Sequence, residues 1–191
     1  MASTVVLVIL VATLLYAILI FNGLVALKHS ISKAWSNIDV LLKQRHDELP
    51  KLVETCKQYM QFERDTLEKV MAARSMLQAA REKNDVRGVG AAEAQVRLGL
   101  SGIVATAEAY PELKSNQSIQ QLLARITSLE NQLSDRREFY NEYVNSNNVR
   151  IEQFPDTFIA RMFGFKPAAL LEFSEEEKRD VDMRALFQQR N

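Results

Sequence analysis

AWSNIDVLLKQRHDELP, residues 34–50, decides how the chain divides into helices. Its first half sets the sole tryptophan, Trp35, at helical spacing from Ile38 and Leu42. Its second half is a dense polar run, Lys43-Gln44-Arg45-His46-Asp47-Glu48, closed by Leu49 and Pro50. A histidine beside two carboxylates suggests chemistry, whereas a proline after a polar run suggests a helix end. Adjacent residues on a helix point in different directions, so His46, Asp47 and Glu48 do not converge on one ion or one substrate atom. The stretch reads as the solvated distal end of one helix. Pro50 then falls in the first turn of the next, where its missing N–H costs little.

Working back toward the N-terminus, Leu24, Leu27, Ile31, Trp35, Ile38 and Leu42 form one stripe of helical period. The stripe begins inside VVLVILVATLLYAILIF, residues 5–21, which carries no charge. Continued to Leu27, this run supplies about the 20 apolar residues a helix needs to cross a bilayer. It lacks a basic segment before it and a small-x-small cleavage site after it, so a retained anchor over residues 1–27 is expected rather than a cleaved signal. Lys28, Lys33, Lys43 and Arg45 follow the run, and only the α-amino group precedes it. The positive-inside rule then puts the N-terminus outside and the rest of the chain in the cytoplasm. Trp35 lies roughly 21 Å along the axis beyond Phe21, too far for an interfacial belt residue. It is read as facing the core or a partner.

Working forward, a second stripe runs through Leu49, Leu52, Cys56, Tyr59, Leu67, Val70 and Leu77, interrupted by Glu63. The segment from Lys83 to Gly90, with an Asn-Asp pair and two glycines, predicts a loop. An alanine-rich helix over 91–109 contains Gly99 and Gly102, whose small size permits close helix packing. Tyr110-Pro111 ends it, and Ser115 or Asn116 caps the next. Ile119, Leu122, Ile126, Leu129, Leu133, Tyr140, Tyr143, Ile151 and Phe154 then follow a heptad frame, with Arg136 and Asn147 at two seam positions. The predicted fold is all-α: the anchor continues into an antiparallel up-down bundle of about four long helices over 28–165. The aromatic segment 158–167, with Phe163 and Phe165, reads as a short helix docked on the bundle, the alternative being a patch that meets the membrane or another subunit. Residues 166–191 read as a charged tail.

Composition excludes several functions. The 191 residues carry 24 basic and 24 acidic side chains, which leaves no strong nucleic-acid footprint. One cysteine, Cys56, allows no intrachain disulfide, fits a reducing compartment, and sits in an apolar stripe as a core thiol. There is no phosphate loop, cysteine pair or HExxH motif. No catalytic, cofactor-binding or metal-binding residue is expected. Glu63, Arg136 and Asn147 are read as polar residues that fix helix register, with a site-lining role as the alternative.

Residues 35–40 and 43–47, followed by Pro50-Lys51-Leu52-Val53-Glu54-Thr55, resemble the signature block of the LemA family. Ala107-Glu108-Ala109-Tyr110-Pro111-Glu112-Leu113-Lys114 is similar to a second motif. Phe139-Tyr140-Asn141 with Asn148, and Phe154-Pro155 with Phe163-Gly164-Phe165-Lys166-Pro167, resemble two more. The resemblance covers about residues 1 to 170. The chain departs from it at Glu48-Leu49-Pro50-Lys51 and at Cys56 and Gln58. The resemblance implies a bacterial inner-membrane protein, single-pass, with its N-terminus outside, its helical domain cytoplasmic and no established catalysis. It links some relatives to magnetosome membranes and others to envelope quality control.

These readings together predict a non-enzymatic membrane scaffold that self-associates, with the lipid bilayer and further copies of itself as partners. Trp35, Asn37, Asp39, Phe163 and Phe165 are its candidate interface residues. One alternative is an adaptor recruiting a protease, quality-control or signalling protein of the membrane through the aromatic segment and tail. The other, an enzyme or small-molecule binder, requires buried polar residues converging around a cavity.

Overall fold

The computed structural model describes residues 1–57, 64–109 and 115–173, with the backbone alone for 106–109. Glu63, Tyr59, the Tyr110-Pro111 stop and the tail from residue 174 lie outside the described residues. Four long helices and one short one are described: α1 (Ala2–Lys57), α2 (Arg64–Glu82), α3 (Val86–Ala109), α4 (Gln117–Glu152) and α5 (Asp156–Met162). No strand occurs among the described residues, and the fold is all-α as expected.

Helix boundaries correct the reading of residues 34–50. The first helix does not stop before Pro50 but runs through it to Lys57. Leu24, Ile38, Leu42, Leu49, Leu52 and Cys56 form a single fully buried stripe along it. The loop after α2 is also shorter than expected. Asn84 takes a left-handed conformation (φ 51°) and Asp85 caps the next helix, its Oδ1 accepting the Gly88 N–H at 3.0 Å. Gly88 and Gly90 therefore lie inside α3. Asn116 caps α4 as predicted, accepting from the N–H groups of Ser118 and Ile119.

The described chain forms two compact units, each considered separately. The first comprises residues 1–42 and 131–170. In it α1 and α4 run antiparallel: a Cβ on Gly23 would collide with the Arg150 guanidinium, and further along Trp35 packs against Tyr140, the tilted rings 5.5 Å apart. Ile20, Leu24, Ile151 and Ala160 form its core, flanked by Ile159 and Phe165. The apolar run at the start of α1 is long enough to cross a membrane, and only 6% of its window is buried.

The second unit comprises residues 43–130 and the described residues from 171 onward. Here α2 and α3 form an antiparallel hairpin around the 83–85 turn, burying Leu67, Val70 and Leu77 against Val89, Val96 and Ile103. Gly99 allows this approach, since a Cβ there would lie 2.6 Å from Val70 Cγ2. Leu171 and Phe173, expected in the tail, are buried here, and Arg97 lies over the Phe173 ring at 5.3 Å.

The heptad frame of α4 holds at Ile119, Ile126, Leu129, Leu133, Tyr140 and Ile151. It also holds at the seam position Asn147, and it fails at Arg136 and Tyr143, which are exposed, while Val144 takes a buried position; exposed Phe154 lies beyond the end of α4. A strict seven-residue frame drifts about 20° per heptad on a straight helix, so late positions rotate off the seam.

Candidate functional site

Residues 45 and 46 sit where helices of the second unit meet. Arg45 continues the apolar stripe Ile38–Leu42–Leu49 at helical spacing, so its side chain enters the core, 1% exposed. There it pairs with Glu93 of α3, which is fully buried, and lies 3.5 Å from Glu130 of α4. Burial lowers the Arg45 pKa to about 10, and nearby Arg97 adds to the effect while Glu130 opposes it. At neutral pH the guanidinium keeps its charge. Arg45 Nε and Glu93 Oε2 make no hydrogen bond to any described residue. Desolvating two charges offsets most of their attraction, so the pair fixes which helices meet and in what register more than it adds stability.

His46 joins the remaining helix. Pro50 has no N–H, so the His46 carbonyl loses the bond that residue i+4 normally gives it. Arg74 of α2 supplies the replacement, its Nε–H donating to His46 O at 3.0 Å. The imidazole itself is held below its ordinary pKa, by burial first and then by Arg74. Arg45 and His46 thus reach α2, α3 and α4 from successive positions. The reading of this polar run as a solvated helix end is corrected: Lys43, Gln44 and Asp47 are exposed, but Arg45 is core. Its signal was present in the sequence, as was that of Glu93, which shares a face with Val89, Val96 and Leu100.

These buried charges are arranged as partners. A general base or nucleophile needs a free lone pair aimed at open space, and Glu93 faces a guanidinium instead. Among the described residues no three His, Cys, Asp or Glu side chains come together as metal ligands. Cys56 is buried, and desolvation pushes its thiol up to about 11, so it stays protonated and inert.

The expected interface residues fall into two places in the first unit. Trp35 is half-buried against Tyr140, and Asp39 is half-buried. Asn37 is exposed and lines a depression of about 320 Å³ with Lys33, Arg136, Phe139 and Tyr143. Arg136 is therefore a surface residue rather than a buried seam residue. Phe163 and Phe165 come together on Phe21, at ring distances of 4.7 and 5.9 Å. The short helix α5 docks through Ala160 and Ile159, while Phe154, Phe158, Met162 and Phe163 stay exposed.

A clip holds the chain that follows α5. Asn148 bonds Ala168 in both directions, its Oδ1 accepting the N–H at 2.9 Å and its Nδ2 donating to the carbonyl at 3.0 Å. Buried Asn147 donates to Lys166 O at 3.4 Å, and the Tyr140 hydroxyl donates to Ala169 O at 3.0 Å. Asn147 thus serves a structural contact and also lines a depression beside Phe163 and Phe165. The sequence places Asn148 in a motif and predicts no role for it.

The pattern of the LemA family matches residues 34–184. The chain is 28% identical to Protein LemA of Metamycoplasma hominis over 163 residues, 84% of this chain and 73% of that one. It is also 29% identical over 69 residues to the magnetosome proteins MamQ 1 and MamQ 2 of Paramagnetospirillum magneticum, 36% of this chain and 25% of each of theirs.

Proposed function

Because the chain belongs to the LemA family, we propose that it is a non-enzymatic, membrane-anchored helical scaffold that associates with copies of itself. Its N-terminus lies outside the bacterial inner membrane and its helical domain on the cytoplasmic side. The observation that carries this reading is the continuity of α1. A bare apolar half leads without interruption into a half whose apolar stripe is buried. In water the bare half is an aggregation liability, whereas in a bilayer its backbone bonds are satisfied within the helix and its side chains match the lipid. The lysines that follow support the orientation.

The self-association face is the one carrying Asn37. Phe139 and Tyr143 stand exposed beside it on α4, and aromatic side chains are the residues interfaces favour. Kinship over part of the chain with two proteins named for magnetosomes supports extending the scaffold role to the organisation of membranes. The alternative adaptor role, recruitment of a membrane protein partner, is separated by the same experiment. Crosslinking in native membranes, followed by sizing of the extracted protein in mild detergent, reports both. Homo-oligomers that a Phe139→Glu variant dissociates are expected. A strictly monomeric wild type at high concentration, crosslinked only to foreign proteins, replaces the scaffold with the adaptor.

A further inference from the structure

The uninterrupted apolar run of α1 ends at Phe21, and the first charged side chain, Lys28, follows about two turns later with His29 beside it. At this level α5 and the segment after it fold back on α1. They border a half-open cavity of about 560 Å³, whose lining joins Phe21, Val25 and Phe163 to Lys28, His29 and Lys166. Among the described residues no carboxylate contributes to the lining. The one acidic residue of α5, Asp156, is already bound to Arg150 Nε at 2.5 Å. Gly164, with φ +70°, turns the chain so that Phe165 returns to α1 and Lys166 reaches the cavity. Outside the cavity, exposed Phe154, Phe158 and Met162 extend the apolar surface.

Two properties coincide here. The cavity is apolar beside the end of the run and basic just beyond it. Lys28 lies roughly 10 Å along the axis past Phe21, and helical side chains lean toward the N-terminus, here toward the run. The headgroup layer of a bilayer is about 5–8 Å thick on each side. Lysine on its flexible stem therefore reaches phosphate depth. We propose that this cavity binds the phosphodiester headgroup of an anionic phospholipid, such as phosphatidylglycerol. Lys28, His29 and Lys166 hold the phosphate, and the acyl chains lie along the apolar run beside Phe21 and Phe163. Phe154, Phe158 and Met162 rest in the same leaflet, as aromatic and apolar side chains do at a membrane interface. The site rests on the reading that the run spans the bilayer. It adds a second, lipid-selective attachment that fixes how the domain meets the membrane.

The test uses the full chain in nanodiscs of phosphatidylcholine, alone or with one-fifth phosphatidylglycerol. After gentle detergent release, native mass spectrometry counts the lipids retained. The wild type is expected to keep phosphatidylglycerol enriched over its bulk fraction, by about fivefold for each lysine that contacts it. Lys28→Gln with Lys166→Gln should return the ratio to bulk at unchanged helicity. Lys43→Gln with Lys57→Gln, away from the cavity, should leave the enrichment intact. Retention at the bulk ratio, or enrichment that survives the Lys28/Lys166 change, overturns the site. Displacement of the lipid by free glycerol phosphate at equal concentration overturns the lipid assignment in favour of a soluble phosphate. A chain that pure phosphatidylcholine nanodiscs fail to take up sinks the spanning reading and the site together. Uptake without enrichment sinks the site alone.

Discussion

The Arg74 Nε–H donates to the backbone carbonyl of His46 at 3.0 Å, and it does so where the helix cannot. Pro50 deprives that carbonyl of its i+4 donor inside α1. A side chain from α2 thereby makes good a backbone defect in α1, and the defect in turn fixes which part of α1 meets α2.

Coupling between the two positions follows. Arg74→Met should destabilise the folded chain by about 1–2 kcal/mol, the usual cost of leaving a part-buried carbonyl unpaired. Pro50→Ala restores the helical N–H, so in that background the Arg74→Met change should cost much less. Thermal unfolding followed by circular dichroism in detergent, run as a double-mutant cycle, measures the difference. Additive effects of the two substitutions would mean that Arg74 acts through something other than the proline-orphaned carbonyl.

The buried pair makes an asymmetric prediction. Glu93→Gln leaves the Arg45 charge in the core with Glu130, 3.5 Å away, as its remaining carboxylate among the described residues and with Arg97 opposing it. Removing one partner of a buried pair costs about 3–5 kcal/mol. Replacing both, as Arg45→Met with Glu93→Leu, should restore stability to the wild-type level or above, because the desolvation cost of both charges disappears. If charge pairing itself were the main source of stability, the double variant would be the weaker of the two. The double variant is also expected to lose register specificity, seen as broader amide spectra at equal melting temperature.

Much of this architecture was legible because its signals are local. The helical period gave Leu24, Ile38 and Leu42 on α1, and Ile119, Ile126, Leu129 and Leu133 on α4, all of them buried. Asn116 gave the start of α4. The misreadings share one cause, a distant residue overriding a local rule. Proline normally marks a helix boundary, but Arg74, far along the chain, supplies the missing donor. Arg45 in a polar run looks solvated until Glu93 on another helix accounts for it. Gly90 looks like a loop residue, yet in the structure a Cβ there would overlap the Glu172 carbonyl, so the glycine serves close packing inside α3. Of the candidate site, the aromatic pair Phe163 and Phe165 was visible from composition. The cavity they share with Lys28 was not, because it exists only once α5 has folded back.

Acid should weaken the fold through His46. Burial, and after it the neighbouring Arg74, holds the imidazole below its ordinary value of 6.5. The unfolded chain therefore takes up a proton at a higher pH than the folded chain. The full contribution is present above pH 6.5, declines as pH falls below it, and stops changing once pH is below the folded value. Melting temperatures measured between pH 7.5 and about 5.5, above the range where carboxylates titrate, should fall in the wild type. They should fall less steeply in His46→Gln, which keeps the backbone carbonyl for Arg74. An unchanged slope in that variant would exonerate His46.

The Asn148 clip controls the segment that carries Phe165 and Lys166 back to α1. Two bonds to one residue, 2.9 and 3.0 Å, hold Ala168 in both directions. Asn148→Ala removes both and leaves a backbone donor and acceptor unpaired, at about 1–3 kcal/mol for the buried fraction. Asn148→Asp keeps the acceptor for the Ala168 N–H but loses the donor to its carbonyl. Hydrogen exchange at the Ala168 amide should therefore speed up most in Asn148→Ala, by about tenfold for each 1.4 kcal/mol of lost local stability. The aspartate variant should lie between it and the wild type. Exchange in the α2–α3 hairpin should not change, because the loss is local to the first unit. Equal acceleration in both places would instead reveal global destabilisation. That result would remove the independent opening of the segment that the paired bonds to Ala168 imply.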